Sequence, residues 1–421
     1  AGISDDINGD DNLQQSPDDY FHSASFEQVQ TFIGGAGFPS STTPTGNNIP
    51  TVSGGADFTI PAGTPFELTA VGSDADVGDT LTYTWEQLDV GPAMSLPLTD
   101  NGSSPLFRAF PPSTDSNRVF PRLGDLAAGF NTAAIGEVLP TTTRDLNFRT
   151  TVRDGNNGVN SDDVLISVVA APTTPFAITA PNGAENWSGG TSQTITWNVG
   201  GTDANGINVA NVAIDLSLDG GLTYPFTLES STPNDGSHTL NSPNIDVSAA
   251  RIRVRPIGNI FFDISDANFT ITANAGGAGV TVTESGGSTF VSEDGVVGGA
   301  VPDTYTLALN TVPAGTVSIT VDAGTQTEVS LDGTNFVSSL VAAFSGTTPQ
   351  TVHVRGLDDT LAEGIHSGTI THTITSSTDA NYPLGAPINP VTASIADDEL
   401  QPVVGVDFDQ ASGTSPINWT R

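Results

Sequence analysis

The chain has 421 residues and a formal net charge of −36, and its eleven basic residues are all Arg. Charge that one-sided excludes nucleic acid as a partner, because a phosphate backbone needs a basic face, and it argues against an anionic membrane surface. With no Cys there are no disulfides, no thiol catalysis and no cysteine-based zinc site; with no apolar run of ~18 residues, nothing predicts membrane insertion.

The 46 Gly and 28 Pro, among abundant Thr, Ser and Val, are an all-β composition. The length fits about three or four domains of roughly 100–150 residues. In chain order, residues 1–43 hold the one good helix candidate and a linker. Ser25 with Gln28 has the spacing of a capping box, Phe26, Val29 and Ile33 form an apolar stripe, and Gly34-Gly35 end it. Residues 44–172 read as a β-sandwich, with alternating runs at 66–71, 80–85 and 164–168. A second spans 173–275, opening after Pro172-Thr173-Thr174-Pro175 and closing on Phe269-Thr270-Ile271-Thr272. A third spans 276–399 and includes the alternating run 369–374; residues 400–421 start a further strand at 403–408. Neither Ala1 nor Arg421 reads as a natural end, which predicts a piece of a longer parent. The expected fold is therefore a tandem array of antiparallel β-sandwiches behind a short helix.

Four stretches resemble known families. Ala1-Gly2-Ile3, followed by Asn12-Leu13-Gln14-Gln15-Ser16-Pro17-Asp18-Asp19-Tyr20-Phe21-His22, resembles the tail of the catalytic domain of bacterial reprolysin-like zinc metalloproteases. The His-Glu-x-x-His helix that binds zinc in that family is absent, and Ser4 stands where the family often has Cys. The resemblance implies that any Zn²⁺ belongs to a domain upstream of Ala1. The segment from Ser73 to Trp85 is similar to cadherin-like and other Ig-like bacterial repeats. Thr179-Ala180-Pro181-Asn182-Gly183, Trp187, Trp197 and Leu218-Asp219-Gly220-Gly221 resemble a carbohydrate-associated Ig-like module. Val282-Thr283-Glu284, the loop 358–364 and Ile395-Ala396-Asp397-Asp398 resemble a Calx-beta module.

Hard Ca²⁺ takes about 6–8 oxygen ligands, and two Asp-rich regions could supply them. One gathers Asp358, Asp359 and Glu363 from a late loop, Asp397 and Asp398 from the end of the third sandwich, and Glu293 and Asp294 from an early turn. The resemblance implies that these loops meet at one end of the sandwich. The other is Asp74, Asp76 and Asp79, with Asp154 as a further donor. Against each stands the plain reading of solvated turn acids, since Asp favours turns. The loop from Asp6 begins like an EF-hand, but Asp11 stands where Gly is needed and Pro17 where a bidentate acid is, so a calcium-free loop is favoured.

His366 and His372 share a strand face near His353, but six residues is too long for one zinc loop, which favours ordinary strand histidines; His22 also reads as structural. Trp187 and Trp197 read as core rather than as sugar platforms. Arg251, Arg253 and Arg255 share one face and are expected to pair with Asp.

No nucleophile elbow, phosphate loop or nucleophile–base pair appears. The expectation is a non-catalytic, calcium-binding region of a secreted or cell-surface protein. It would be the C-terminal part of a reprolysin-like protease, serving attachment to cell-surface or extracellular matrix material, including polysaccharide. The alternatives are an adhesin or filament subunit that self-associates end to end, and a set of glycan-binding modules.

Overall fold

The computed structural model describes residues 20–35, 45–92, 94, 98–129, 136–170, 174–274, 276–293, 302–361 and 363–397. The chain divides into two compact units: residues 1–279 with 385–387, and residues 280–384 with 388–421. Strands dominate both, as the alternation predicts.

The first unit holds two sandwiches. In the first, Phe58–Pro61, Val159–Val169, Arg144–Arg153 and Thr82–Gln87 form a four-stranded sheet in that order. It faces the pair Phe66–Thr69 and Asn117–Phe120. Phe66, Phe107, Phe120 and Phe148 meet between the sheets with ring centroids 4.7–6.0 Å apart. In the second, Asn186–Ser188, Phe269–Thr272, Val247–Pro256, Asn211–Ser217 and Phe226–Pro233 face Ser237–Asn241, Ser192–Asn198 and Ala177–Ala180.

The Pro-rich stretch after residue 171 separates two sets of sheets but not two cores. The buried apolar residues form one cluster across both sandwiches. The Glu67 N–H donates to the Ile260 carbonyl and the Phe262 N–H to the Pro65 carbonyl, each at 3.0 Å, so the edge of one sandwich continues into the other.

In the second unit, Val280–Glu284, Asp303–Leu309, Gln350–Gly356 and Thr327–Ser330 form one sheet. Thr289–Ser292, Val391–Ala396, His366–Ser376, Val317–Asp322 and Ser339–Phe344 form the other. Strict alternation in His366–Ser376 turns Gly368, Ile370, His372 and Ile374 inward.

One device recurs in all three sandwiches. A short early strand adds in parallel to the last strand: Phe58–Pro61 on Val159–Val169, Asn186–Ser188 on Phe269–Thr272, and Thr289–Ser292 on Val391–Ala396. A parallel neighbour needs a crossover, so the chain changes sheets right after these strands, and the turns that follow lie where the closing strand ends.

The helix is Ser23–Gly34, starting three residues earlier than a capping box at Ser25 predicts. Its cap comes from the sandwich. Glu86, buried on Thr82–Gln87, accepts the Ser23 N–H at 2.8 Å and bonds the His22 ring at 2.6 Å. A carboxylate at the N-terminus meets both the orphan donors and the helix dipole, so Ser25 is not needed there and lies inside the first turn. The expected apolar stripe is not a buried face: Val29 and Ile33 are exposed. The helix is instead held by polar contacts, Arg149 to Glu27 and the Arg153 guanidinium to the Phe21 carbonyl.

Candidate functional site: two carboxylate clusters at sandwich ends

The first cluster lies on the turn between strands Val71–Ser73 and Thr82–Gln87. One carboxylate oxygen from each of Asp74, Asp76 and Asp79 falls within 4.8 Å of the others. Charges at such distances repel by about 1 kcal/mol in water and about 4 kcal/mol at the effective dielectric of a protein surface. The turn holds this arrangement through its backbone: Gly78 takes φ +107°, and the Asp76 N–H donates to Asp74 Oδ1 at 2.9 Å. Asp76 is engaged on both oxygens by Asn48, through its N–H at 2.6 Å and its Nδ2 at 2.8 Å. Asp74 Oδ2 and Asp79 Oδ2 are buried and accept no hydrogen bond. Leaving such atoms unsatisfied costs free energy that a bound cation would remove.

Asp154 does not join this cluster. Its Oδ1 accepts the Asn156 and Gly158 N–H groups and its Oδ2 the Asn47 amide, at 2.7–2.9 Å. Burial raises its pKa, but those bonds outweigh burial and hold it below the usual carboxylate range. The approach depends on Gly158, since a Cβ there would sit 1.9 Å from Asp154 Oδ2. Asn47 and Asn48 thus tie the two acidic elements together.

The second cluster lies at one end of the second unit. Glu293 follows the strand Thr289–Ser292, and its N–H donates to the Ala396 carbonyl at 3.1 Å. His366 opens His366–Ser376 and pairs with Ile395. Gly356 ends its strand directly under Glu293, where a Cβ would meet the Ser292 carbonyl at 2.8 Å. Oxygens of Glu293 and Glu363 and a ring nitrogen of His366 come within 4.8 Å of one another. Glu293 is 5% exposed, and its Oε2 has no hydrogen-bond partner. Burial pushes its carboxyl up, and the charges of Asp359, Asp397 and Glu363 add to this; a proton on His366, when present, opposes it.

The other predicted acids of this end are placed as follows. Asp359 Oδ1 accepts the Leu361 N–H at 2.7 Å and Asp397 Oδ2 the Gly364 N–H at 2.5 Å. Asp358 is exposed beside them. Asp294 and Asp398 lie outside the described residues, as do the loop from Asp6 and the strand expected at 403–408.

His366 is the member that sequence reasoning assigned to an ordinary strand. The signal was present: a His three residues after a turn Glu, at the first position of a strand. His372 goes elsewhere, with Nε2 on the Tyr305 hydroxyl at 2.8 Å and Nδ1 on the Asn389 carbonyl. Burial pushes it down to about 4, so it stays neutral in the core.

Trp187 and Trp197 are 5% and 3% exposed, and Trp197 Nε1 donates to Asn234 Oδ1, so both are core residues. Arg253 and Arg255 both bond Asp215, whereas Arg251 turns to Asn268 Oδ1 and the Ser265 carbonyl, a departure from the expected triple pairing. The three do not share one environment: Arg251 is buried in the middle of the strand, while the Arg255 side chain is half exposed. Among the described residues, no helix is long and apolar enough to cross a membrane.

No protein-family description and no curated protein matches the chain. Solved structures overlap it loosely. A glucan-utilization protein of Bacteroides ovatus, solved with a mixed-linkage heptasaccharide, is 12% identical, covering 83% of this chain and 71% of that one at a TM-score of 0.16. The Ig1-2 module of the Drosophila receptor tyrosine phosphatase DLAR is 12% identical, covering 54% and 100% at 0.27. Drosophila N-cadherin EC1-4 is 10% identical, covering 83% and 76% at 0.17. Overlaps this loose reflect repeated sandwich strands and carry no functional information.

Proposed function

We propose that this chain is a non-catalytic, cation-binding run of β-sandwiches from a secreted or cell-surface protein, in which Ca²⁺ stiffens the loops at the sandwich ends and the modules serve attachment or substrate targeting. The observation that supports it is the pair of unsatisfied, buried oxygens on Asp74 and Asp79 within one three-carboxylate turn. Such a turn is destabilised by its own repulsion until a hard cation joins it, and an all-oxygen donor set suits Ca²⁺. Asn48 and Asn47 then transmit that binding to Asp154 and the hairpin behind it. An acidic, Cys-free chain stabilised by ions rather than disulfides fits an extracellular address. Association with a reprolysin-like protease rests on residues 1–22 alone, and the test is the preceding sequence: absence of His-Glu-x-x-His there removes it.

For the calcium site, calorimetric titration of the chelator-stripped chain with CaCl₂ is decisive when paired with Asp79→Asn. The proposal expects saturable binding that Asp79→Asn weakens at least tenfold. Equal heats in the two proteins would overturn it.

A further inference from the structure

The second cluster differs from the first in one atom type. His366 Nδ1 lies 3.1 Å from the Gly364 carbonyl, an oxygen that can only accept, so Nδ1 carries the proton. In the neutral ring Nε2 is then a bare lone pair. It faces Glu293 Oε1 at 3.4 Å and Glu363 Oε2 at 3.5 Å, two further lone-pair carriers, and hydrogen bonds neither. Three electron-rich atoms converge on one point; Nε2 is buried without a partner, as is the second oxygen of Glu293, Oε2, and such a group needs a positive centre among its members.

The surroundings fix this geometry. Gly364 takes φ +73°, its carbonyl receiving the His366 ring and its N–H going to Asp397 Oδ2. An outer acceptor on Nδ1 that locks the tautomer and aims Nε2 inward is the usual support of a metal-bound imidazole. Gln326 Nε2 likewise holds Glu363 Oε2 at 3.2 Å. Imidazole is a poor ligand for Ca²⁺, which seeks six to eight oxygens, and a good one for borderline transition dications.

We propose that Glu293, Glu363 and His366 form a mixed nitrogen–oxygen site for a transition-metal dication of the Zn²⁺ class, distinct in its preference from the all-oxygen turn at Asp74, Asp76 and Asp79. The proposal rests on the reading of that sandwich end as a cation site and changes which cation it selects.

The test uses the whole chain, stripped with chelator and titrated by calorimetry with ZnCl₂ alone and, separately, CaCl₂ alone. In parallel, long-range ¹⁵N–¹H spectra of the imidazoles follow His366 Nε2. The expected result is saturable zinc binding that moves the His366 Nε2 resonance and is weakened by at least ~100-fold in His366→Ala, the upper range for losing even an outer-shell partner. Glu363→Gln, at an exposed side chain where folding is not at issue, weakens zinc in the same direction. The calcium heats of both variants stay those of the parent. Zinc affinity unchanged in His366→Ala overturns the proposal, because the ion then sits elsewhere. A protonated Nε2 that ignores zinc also overturns it, since the ring is then an imidazolium paired with two carboxylates. If zinc fails while calcium still binds, only this inference falls; if neither ion binds, the calcium reading falls with it.

Discussion

Asp263 gives a sharp pH-dependent test of the packing in the first unit. Its Oδ2 accepts the Ile178 N–H at 2.7 Å, which ties the strand Ala177–Ala180 to the opposite sheet. Burial pushes its carboxyl up to about 7, Ile178 opposes this, and the Asp266 charge adds to it. The folded value lies above the unfolded one of 3.8, so the folded chain holds a proton that the unfolded chain gives up. Stability from this group is therefore fully present below about pH 4 and is lost as pH rises towards 7, by up to about 1.4 kcal/mol per unit. The full shift corresponds to roughly 4 kcal/mol. Asp263 is only partly buried by surface, so solvent screening reduces the effect to about 2 kcal/mol. Asp263→Asn keeps an acceptor oxygen for Ile178 and removes the charge. Thermal melts of both proteins between about pH 5 and 8.5 should show the variant gaining on the parent up to pH ~7 and holding a constant lead above it. At roughly 2–4 °C per kcal/mol for a unit of this size, the lead is about 4–8 °C. A difference that does not change with pH, or a parent that is the more stable at pH 8, refutes the reasoning.

Three further outcomes follow from the same geometry. Glu86→Ala removes the cap of the helix Ser23–Gly34 and the partner of His22, so far-UV helical signal should fall with a local cost of ~0.5–2 kcal/mol while the sandwiches still melt cooperatively. Glu137→Gln breaks the pair that the fully buried Glu137 makes with Arg118 at 2.6 Å and should lower stability by about 3–5 kcal/mol, read from denaturant midpoints. Asp74→Asn, without added cations, should leave stability unchanged or raise it, because it relieves repulsion among three carboxylates; a loss above ~1 kcal/mol would mean the turn is held by Asp74 itself.

The tandem sandwich fold was legible because period-2 alternation between Gly- and Asp-rich turns is a local signal, and runs such as 369–374 do sit in strands with one face inward. The helix was legible as an element but not at its start, because Glu86, 63 residues away from Ser23, supplies the cap. The shared core of the first two sandwiches was hidden for a similar reason: Glu67 meets Ile260 through backbone groups, which leave no trace in residue type. At the candidate sites, the Asp74, Asp76 and Asp79 turn is contiguous and was readable as a cluster. The end of the second unit is assembled from strands far apart in sequence. Acidic turns and the resemblance to a Calx-beta module named Glu293 and Glu363 there, and only the pairing of His366 with Ile395 brings the imidazole beside them.

The central claim is that cations complete the loops of these sandwiches, and calorimetric melting of the whole chain in CaCl₂ against EGTA tests it most directly. With affinities of ~10⁻⁴–10⁻³ M, common for extracellular modules, ~10 mM calcium should add about 1.4–2.7 kcal/mol and raise the melting temperature by several degrees, reversibly on adding EGTA. A melting temperature that is the same in calcium and in EGTA would contradict the account.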